Sequence, residues 1–372
     1  MKTMAAAGQS KLVRGARSTF RRTLIICLAL LAALLIVIVA ASVIGAEHLP
    51  LASSLRALFT GGSSSRCLTS AYRWNSNLLE QVIGSSSCGL TPDQSAILFD
   101  IRLPRILLAA SVGASLATAG AGYQALLRNP LAEPYLLGIS NGAAVGTMIA
   151  LVFFGQTIEW MRPLMAFAGA LAATFVVYRL ARGRSGTTPE KLILAGVIVT
   201  TFLSSAIVFI TTLMDATRIR SFTFWLLGDL SGASSSLLIV AIISAIVGAT
   251  LLTLYSRSLN LMMLGERDAF DLGVEVGRVR LVVFLAASLL VGASVASAGS
   301  VGYVGLVVPH LVRLSMGSDN RMVMPAAALT GALFVIVADT VARTVIAPRE
   351  LPVGAITALI GAPLFIYLLR RG

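Results

Sequence analysis

Gly138, Ser140 and Gly142 stand in the spacing G-x-S-x-G, which in hydrolases presents a nucleophilic serine, and His310 and Asp339 could supply a base and an orienting carboxylate. That chemistry needs the serine on an exposed elbow between a strand and a helix. Here the serine opens an apolar segment beside Asn141, between glycines that favour a broken and closely packed helix start, so an intramembrane serine hydrolase is only a remote reading. Arg102, Arg105 and Arg343 offer a second chemistry, because a guanidinium fork receives a carboxylate in two parallel hydrogen bonds. The same arginines sit at the ends of apolar runs, where they can anchor lipid headgroups, and Arg343 can pair with Asp339 one helical turn earlier. Metal chemistry has no support: three cysteines and two histidines fall in no ligand spacing. No G-x-x-x-x-G-K-[ST] occurs either, so the chain has no P-loop of its own for ATP.

The elements that must position these groups are membrane spans. The 372 residues are 57% apolar and 12% charged, with mean hydropathy +0.89. An ordinary soluble domain carries about twice that charged fraction. A net charge of +13 and a pI near 10.6 would suggest nucleic acid in a soluble chain, but these charges lie at span ends, where they face anionic lipid instead. Residues 1–22 hold Lys2, Lys11, Arg14, Arg17, Arg21 and Arg22 without an acid, which reads as a cytoplasmic head. Residues 23–46 form the first span, an apolar run too long for a signal peptide's core of about 7–15 residues.

Residues 47–101 are then an outer loop, and Cys67 and Cys88 within it are expected to form a disulfide worth roughly 3 kcal/mol in an oxidising compartment. Residues 102–372 carry nine further spans, at about 103–125, 136–154, 163–180, 192–213, 235–255, 279–298, 303–314, 323–346 and 351–369. Ten spans place both termini in the cytoplasm of a multi-pass protein, and most of the 29 Lys and Arg then fall on cytoplasmic segments.

Two stretches depart from plain spans. Asn129-Pro130 and Glu133-Pro134 interrupt the chain between the second and third spans, since proline lacks an N–H and drives the preceding residue out of the α region. Residues 256–280 join the sixth and seventh spans through a loop in which Glu266, Asp268, Asp271 and Glu275 balance four arginines. Leu264-Gly265-Glu266 and Asp271-Leu272-Gly273 punctuate it as two short helices, each followed by a glycine turn, a form suited to docking another protein as well as to a solvated loop.

The octet GASLATAG at 113–120 returns as GASVASAG at 292–299, and each copy precedes a Gly-Tyr pair and then a proline, Pro130 or Pro309. The copies fall in the second and seventh spans, five crossings apart, and an odd number of crossings makes the second half an inverted repeat of the first, an arrangement found in many transporters. Acids are almost absent from the spans, Asp339 standing nearly alone by the outer surface, so an ion-coupled carrier or channel is the weaker alternative.

From residue 100 onward the chain resembles the FecCD-type, or type II, permease subunits of binding-protein-dependent ABC importers for iron siderophores, haem and vitamin B12. The resemblance rests on RLPR at 102–105, QALLRNPLAEPYLLGISNG at 124–142, Leu264-Gly265-Glu266 with Leu272-Gly273, GYVGLVVPHLVR at 302–313, which contains Pro309 and His310, and Leu351-Pro352-Val353-Gly354 with Gly361-Ala362-Pro363. It implies an all-α permease fold of ten helices, a homodimer with a central pathway, and location in a bacterial inner membrane. It also implies two separate ABC ATPase subunits docked on 256–280, whose use of ATP replaces any cofactor bound by this chain. The arginines matching Arg102, Arg105 and Arg343 receive glutamates of a periplasmic substrate-binding protein.

By the same resemblance the fifth and tenth spans line the pathway, and Thr187 and Thr188 lie near its cytoplasmic constriction. Departures are the longer first outer loop and Ser234, where relatives often carry tryptophan. The run from Asn129 to Gly142 leans toward a corrinoid as cargo and leaves iron chelates open.

Overall fold

The structure, a computed structural model, describes residues 2–45, 47, 50, 53–55, 57, 90–154, 160–183, 186–232 and 234–371. Cys67 and Cys88, and with them the expected disulfide, lie outside the described residues.

Helix α1 (Lys2–Val43) runs through the basic head and the first apolar stretch without a break. The next span begins earlier than its hydropathy indicates. Thr91 and Gln94 form a reciprocal cap, each side chain accepting from the other's backbone N–H at 3.2 Å, and start a helix at Pro92. That helix passes through a π turn at Ile97–Arg102 into α2 (Leu103–Leu126), so residues 92–101 belong to the span rather than to the loop.

A 3-10 turn at Pro134–Leu137 leads to α3 (Ile139–Phe153), followed by α4 (Met161–Ala181), α5 (Pro189–Thr211), α6 (Ala216–Leu226) and α7 (Ser235–Leu254). Two short helices, α8 (Ser256–Leu264) and α9 (Glu266–Asp271), precede α10 (Val276–Ala298), α11 (Val304–Met316), α12 (Asn320–Thr344) and α13 (Val353–Arg371). The described residues hold seven helices long and apolar enough to cross a membrane, and α3, α11 and α13 are shorter apolar helices. Each of the ten expected spans coincides with one of these helices, seven of full length and three shorter. Helix α6 was not expected: with two arginines in eleven residues it lacks a span's hydropathy, yet its Phe222 and Trp225 are buried and stack on each other.

Helix α2 is the axis of the bundle, buried along nearly its whole length against α12, α10, α7 and α11. Its small residues explain how. Gly113 and Gly331 face each other so closely that a Cβ on either would strike the other's carbonyl oxygen, and α2 and α12 therefore pack backbone to backbone. Helices α5 and α7 lie at the periphery with Leu194, Ile198, Phe202, Ile243 and Val247 exposed, as lipid-facing or partner-facing helices must be.

The duplicated octets occupy corresponding places. In α2, Gly113 meets α12; in α10, Gly292 meets Ala170 of α4. Helices α2 to α4 thus correspond to α10 to α12, and each copy packs against the third helix of the other half. Four apolar helices, α3, α4, α5 and α7, lie between α2 and α10, so the chain crosses five times from one copy to the next and the halves run in opposite senses, as the repeat predicts.

Candidate functional site

Helix α2 carries Arg105 in its first turn, and Arg128 follows its last, so about 35 Å of helix separates two polar clusters at opposite ends of the bundle.

At the first end, Arg105 and Arg343 share one carboxylate. Arg105 Nε donates to Asp339 Oδ1 at 3.0 Å and its Nη2 stands 2.9 Å from the same oxygen, while Arg343 Nε lies 3.0 Å from Asp339 Oδ2. The pairing of Arg343 with Asp339 follows from their i, i+4 spacing on α12. Arg105 has a further partner that the local sequence does not disclose, Glu350, whose Oε2 accepts from Arg105 Nη1 at 2.7 Å. Asp339 is fully buried and Glu350 is half exposed, so the cluster is sealed on one side and open on the other. Arg102 does different work. It donates to the carbonyls of Ser42, Val43 and Glu47 at 3.0, 3.1 and 2.6 Å, which satisfies orphan acceptors at the end of α1 and complements that helix's negative pole.

At the other end, α8 and α9 form the two-helix knob expected from the glycine punctuation, with Gly265 (φ 150°) between them and Gly273 (φ 84°) after the second. Leu259, Met262 and Ala269 are buried beneath it, and Leu264, Phe270 and Leu272 project outward at 70%, 70% and 62% exposure. Three large apolar side chains thus stand exposed together on one small knob. Asp268 is exposed beside them. Glu266 does not project. Its Oε1 lies 2.6 Å from Arg128 Nη2 and 2.5 Å from Arg280 Nη2, and Arg280 also donates to the Thr187 carbonyl. One carboxylate therefore ties the knob to the end of α2, to α10 and to the approach of α5, where Thr188 caps the helix by accepting from Lys191 N.

Between the two ends the broken helices meet. Gly305 of α11 lies against Leu116 of α2 and against Pro134, so the chain breaks at Asn129–Gly142 and at Gly299–Tyr303 meet at a depth midway along α2. Tyr135 Oη donates to the Val301 carbonyl at 2.7 Å and accepts from Val301 N–H at 2.9 Å. Glu133 Oε1 accepts from Tyr303 N–H at 3.2 Å. Ser140 Oγ donates to Ser300 Oγ at 3.3 Å, and Asn141 Nδ2 donates to the Thr200 carbonyl and Ser204 Oγ of α5 at 3.1 and 2.8 Å. Irregular backbone at membrane depth is tolerated only when its polar groups are satisfied in this way.

Asn129 closes its own turn, accepting from Leu131 N at 2.9 Å, Pro130 is exposed beside it, and Gly138 (φ 75°) turns the 3-10 segment into α3. Pro309 and Pro363 lie inside α11 and α13, and His310 meets the edge of Phe365 at 6.0 Å. The hydrolase constellation does not assemble: Ser140 pairs with Ser300, Asp339 with two arginines, and His310 with an aromatic ring. Glu133 is the residue that hydropathy alone overlooks, a second acid at membrane depth hidden in what reads as a helix break.

The comparisons agree with this architecture. The chain is 44% identical over 282 residues to the cobalamin import system permease protein BtuC of Halobacterium salinarum, covering 76% of this chain and 75% of that protein. It is 42% identical over 279 residues to the hemin transport system permease protein HmuU of Yersinia pestis, covering 74% of this chain and 83% of that one. A solved structure described as a metal-chelate type ABC transporter in an inward-facing conformation matches with TM-score 0.76 and 30% identity, over 93% of this chain and 99% of that one. The FecCD transport family matches residues 33–371, nearly the whole of the bundle from α1 to α13, and the chain belongs to that family, whose members are transport components of the membrane.

Proposed function

We propose that this chain is the membrane-spanning permease of a binding-protein-dependent ABC importer that passes a large metal chelate into the cytoplasm. The observation that carries this reading is the α8–α9 knob, apolar on its outer face and ion-paired through Glu266 to α2 and α10 on its inner face. An ATPase docked on Leu264, Phe270 and Leu272 moves those helices together with the knob, and Arg280 carries the displacement to Thr187 at the start of α5. Energy enters at the knob because the chain carries no P-loop of its own.

A second copy completes the pathway, with α5 and α13 toward the twofold axis, which supports a use for their exposed apolar residues such as Phe202, Phe209, Leu359 and Ile366. Arg105 and Arg343, with Arg102 beside them, receive carboxylates of a soluble substrate-binding protein at the opposite end, and both chain termini then lie in the cytoplasm. Near-equal identity to a cobalamin permease and a hemin permease, 44% and 42%, supports the class of large chelates and favours neither cargo. Purification of the tagged permease from its own membranes tests the assembly: an ATPase at one copy per permease is expected, and its loss on Leu264→Asp or Phe270→Asp locates the contact. A stable permease that copurifies with no ATPase contradicts the proposal.

A further inference from the structure

We propose that Glu350 is an internal placeholder: its carboxylate occupies the open side of the Arg105 guanidinium until a carboxylate of the docking protein takes its place. This rests on the docking role given above to Arg105 and Arg343.

The two acids of the cluster are unlike. Asp339 sits on α12 with a side chain 1% exposed and serves both arginines, one through each oxygen, so removing it would leave two buried cations with Glu350 as the one carboxylate remaining in the cluster. Glu350 sits in the connection between α12 and α13 with a side chain 48% exposed, and touches the cluster only through Arg105 Nη1. Asp339 occupies the Nε and Nη2 edge of that guanidinium, and Glu350 holds the remaining nitrogen. Among these four groups the charges of Arg105, Arg343, Asp339 and Glu350 cancel. A visiting carboxylate can therefore replace Glu350 one for one, and the buried part of the cluster never carries unbalanced charge. An incoming protein without a carboxylate at that point gains nothing by displacing Glu350, which makes the placeholder a filter on partners as well as a stopper.

The exchange also has a mechanical consequence. Glu350 is followed by Leu351, whose N–H bonds the Ala342 carbonyl at 3.0 Å, and by Val353, whose N–H bonds the Gly228 carbonyl at 3.1 Å at the first residue of α13. Freeing Glu350 loosens the one connection that leads into α13, so docking at this end is felt at the start of that helix.

The test uses the intact permease–ATPase complex in lipid nanodiscs and the substrate-binding protein isolated on immobilised wild-type complex, with the dissociation constant measured at low and physiological salt. Glu350 is half exposed, so E350Q leaves the fold intact. E350Q is expected to bind about two- to fivefold tighter than wild type, the size of a partly exposed ion pair that no longer has to be broken. E350D keeps the charge but withdraws the carboxylate by one methylene, and it tightens binding as well if occupancy of Arg105 is the cause. E350Q binding no tighter than wild type, or E350D matching wild type while E350Q tightens, overturns the placeholder. Arg343→Lys, measured in parallel, separates the two ideas. Weakened binding by R343K with E350Q unchanged removes the placeholder and leaves the docking site standing, whereas no effect from either variant removes both.

Discussion

Arg105 on α2 and Asp339 on α12 are 234 residues apart in the chain, yet two nitrogens of the one reach a single oxygen of the other at 3.0 and 2.9 Å. With Arg343 on the second oxygen, this buried triad fastens the axis helix of the first half to the third helix of the second half at one end of the bundle. A buried ion pair adds little stability over a well-packed apolar pair, but breaking one is costly because the survivor stays buried and charged.

The first prediction follows from that asymmetry. Asp339→Ala leaves two buried arginines facing each other and should destabilise the detergent-extracted protein by about 3–5 kcal/mol, seen as a collapse of monodisperse yield. Asp339→Asn keeps a hydrogen-bond acceptor and should fall between Asp339→Ala and wild type. Equal thermal stability of all three proteins would contradict a shared buried counterion.

Close backbone packing gives a second test. Gly331→Val should prevent α2 and α12 from meeting, because the added carbons collide with the carbonyl of Gly113, which has no side chain to move aside. Gly302→Ala is the matched control, since no atom lies within 4 Å of its would-be Cβ. The expected result is loss of folded Gly331→Val with normal yield of Gly302→Ala, read by size-exclusion chromatography.

Glu266 should separate docking from coupling. It is braced by Arg128 and Arg280, whereas the side chains proposed to meet the ATPase are its exposed neighbours Leu264, Phe270 and Leu272. Glu266→Gln should therefore retain the ATPase and its basal hydrolysis but lower uptake per ATP by about tenfold, an effect near 1.4 kcal/mol on the coupled step. Uptake and hydrolysis measured on the same proteoliposomes decide it, and proportional loss of both would contradict the division of labour.

Ser140 should be dispensable for chemistry. Its hydroxyl bonds Ser300, and an alanine there removes one hydrogen bond of about 1 kcal/mol at the seam. Uptake by Ser140→Ala is expected within about twofold of wild type, and complete loss in a normally folded protein would reopen the hydrolase reading.

Much of this architecture is legible in the order of residues. Apolar runs locate the seven membrane-length helices and the three shorter apolar ones, and glycines at 265 and 273 mark the ends of α8 and α9, because both signals are local. The i, i+4 pair of Arg343 with Asp339 is local too. What escapes is long-range or compositionally mixed. Helix α6 has a span's neighbours but arginines at 218 and 220, and its place is set by Phe222 and Trp225 packing under other helices. Glu133 reads as part of a proline break until Tyr303 arrives from the other half of the chain to donate its N–H. Glu350 reads as a loop acid until Arg105, 245 residues earlier, is folded against it. Local spacing carries no record of such meetings.

Transport itself is read by reconstituting the permease with its copurifying ATPase and binding protein in proteoliposomes and following uptake of haem, cobalamin and a ferric siderophore with ATP sealed inside. Inward movement of one of these chelates, requiring ATP and the binding protein together, is the expected result. Uptake by the permease alone, driven by an ion gradient and indifferent to ATP, would contradict it and leave the carrier reading in its place.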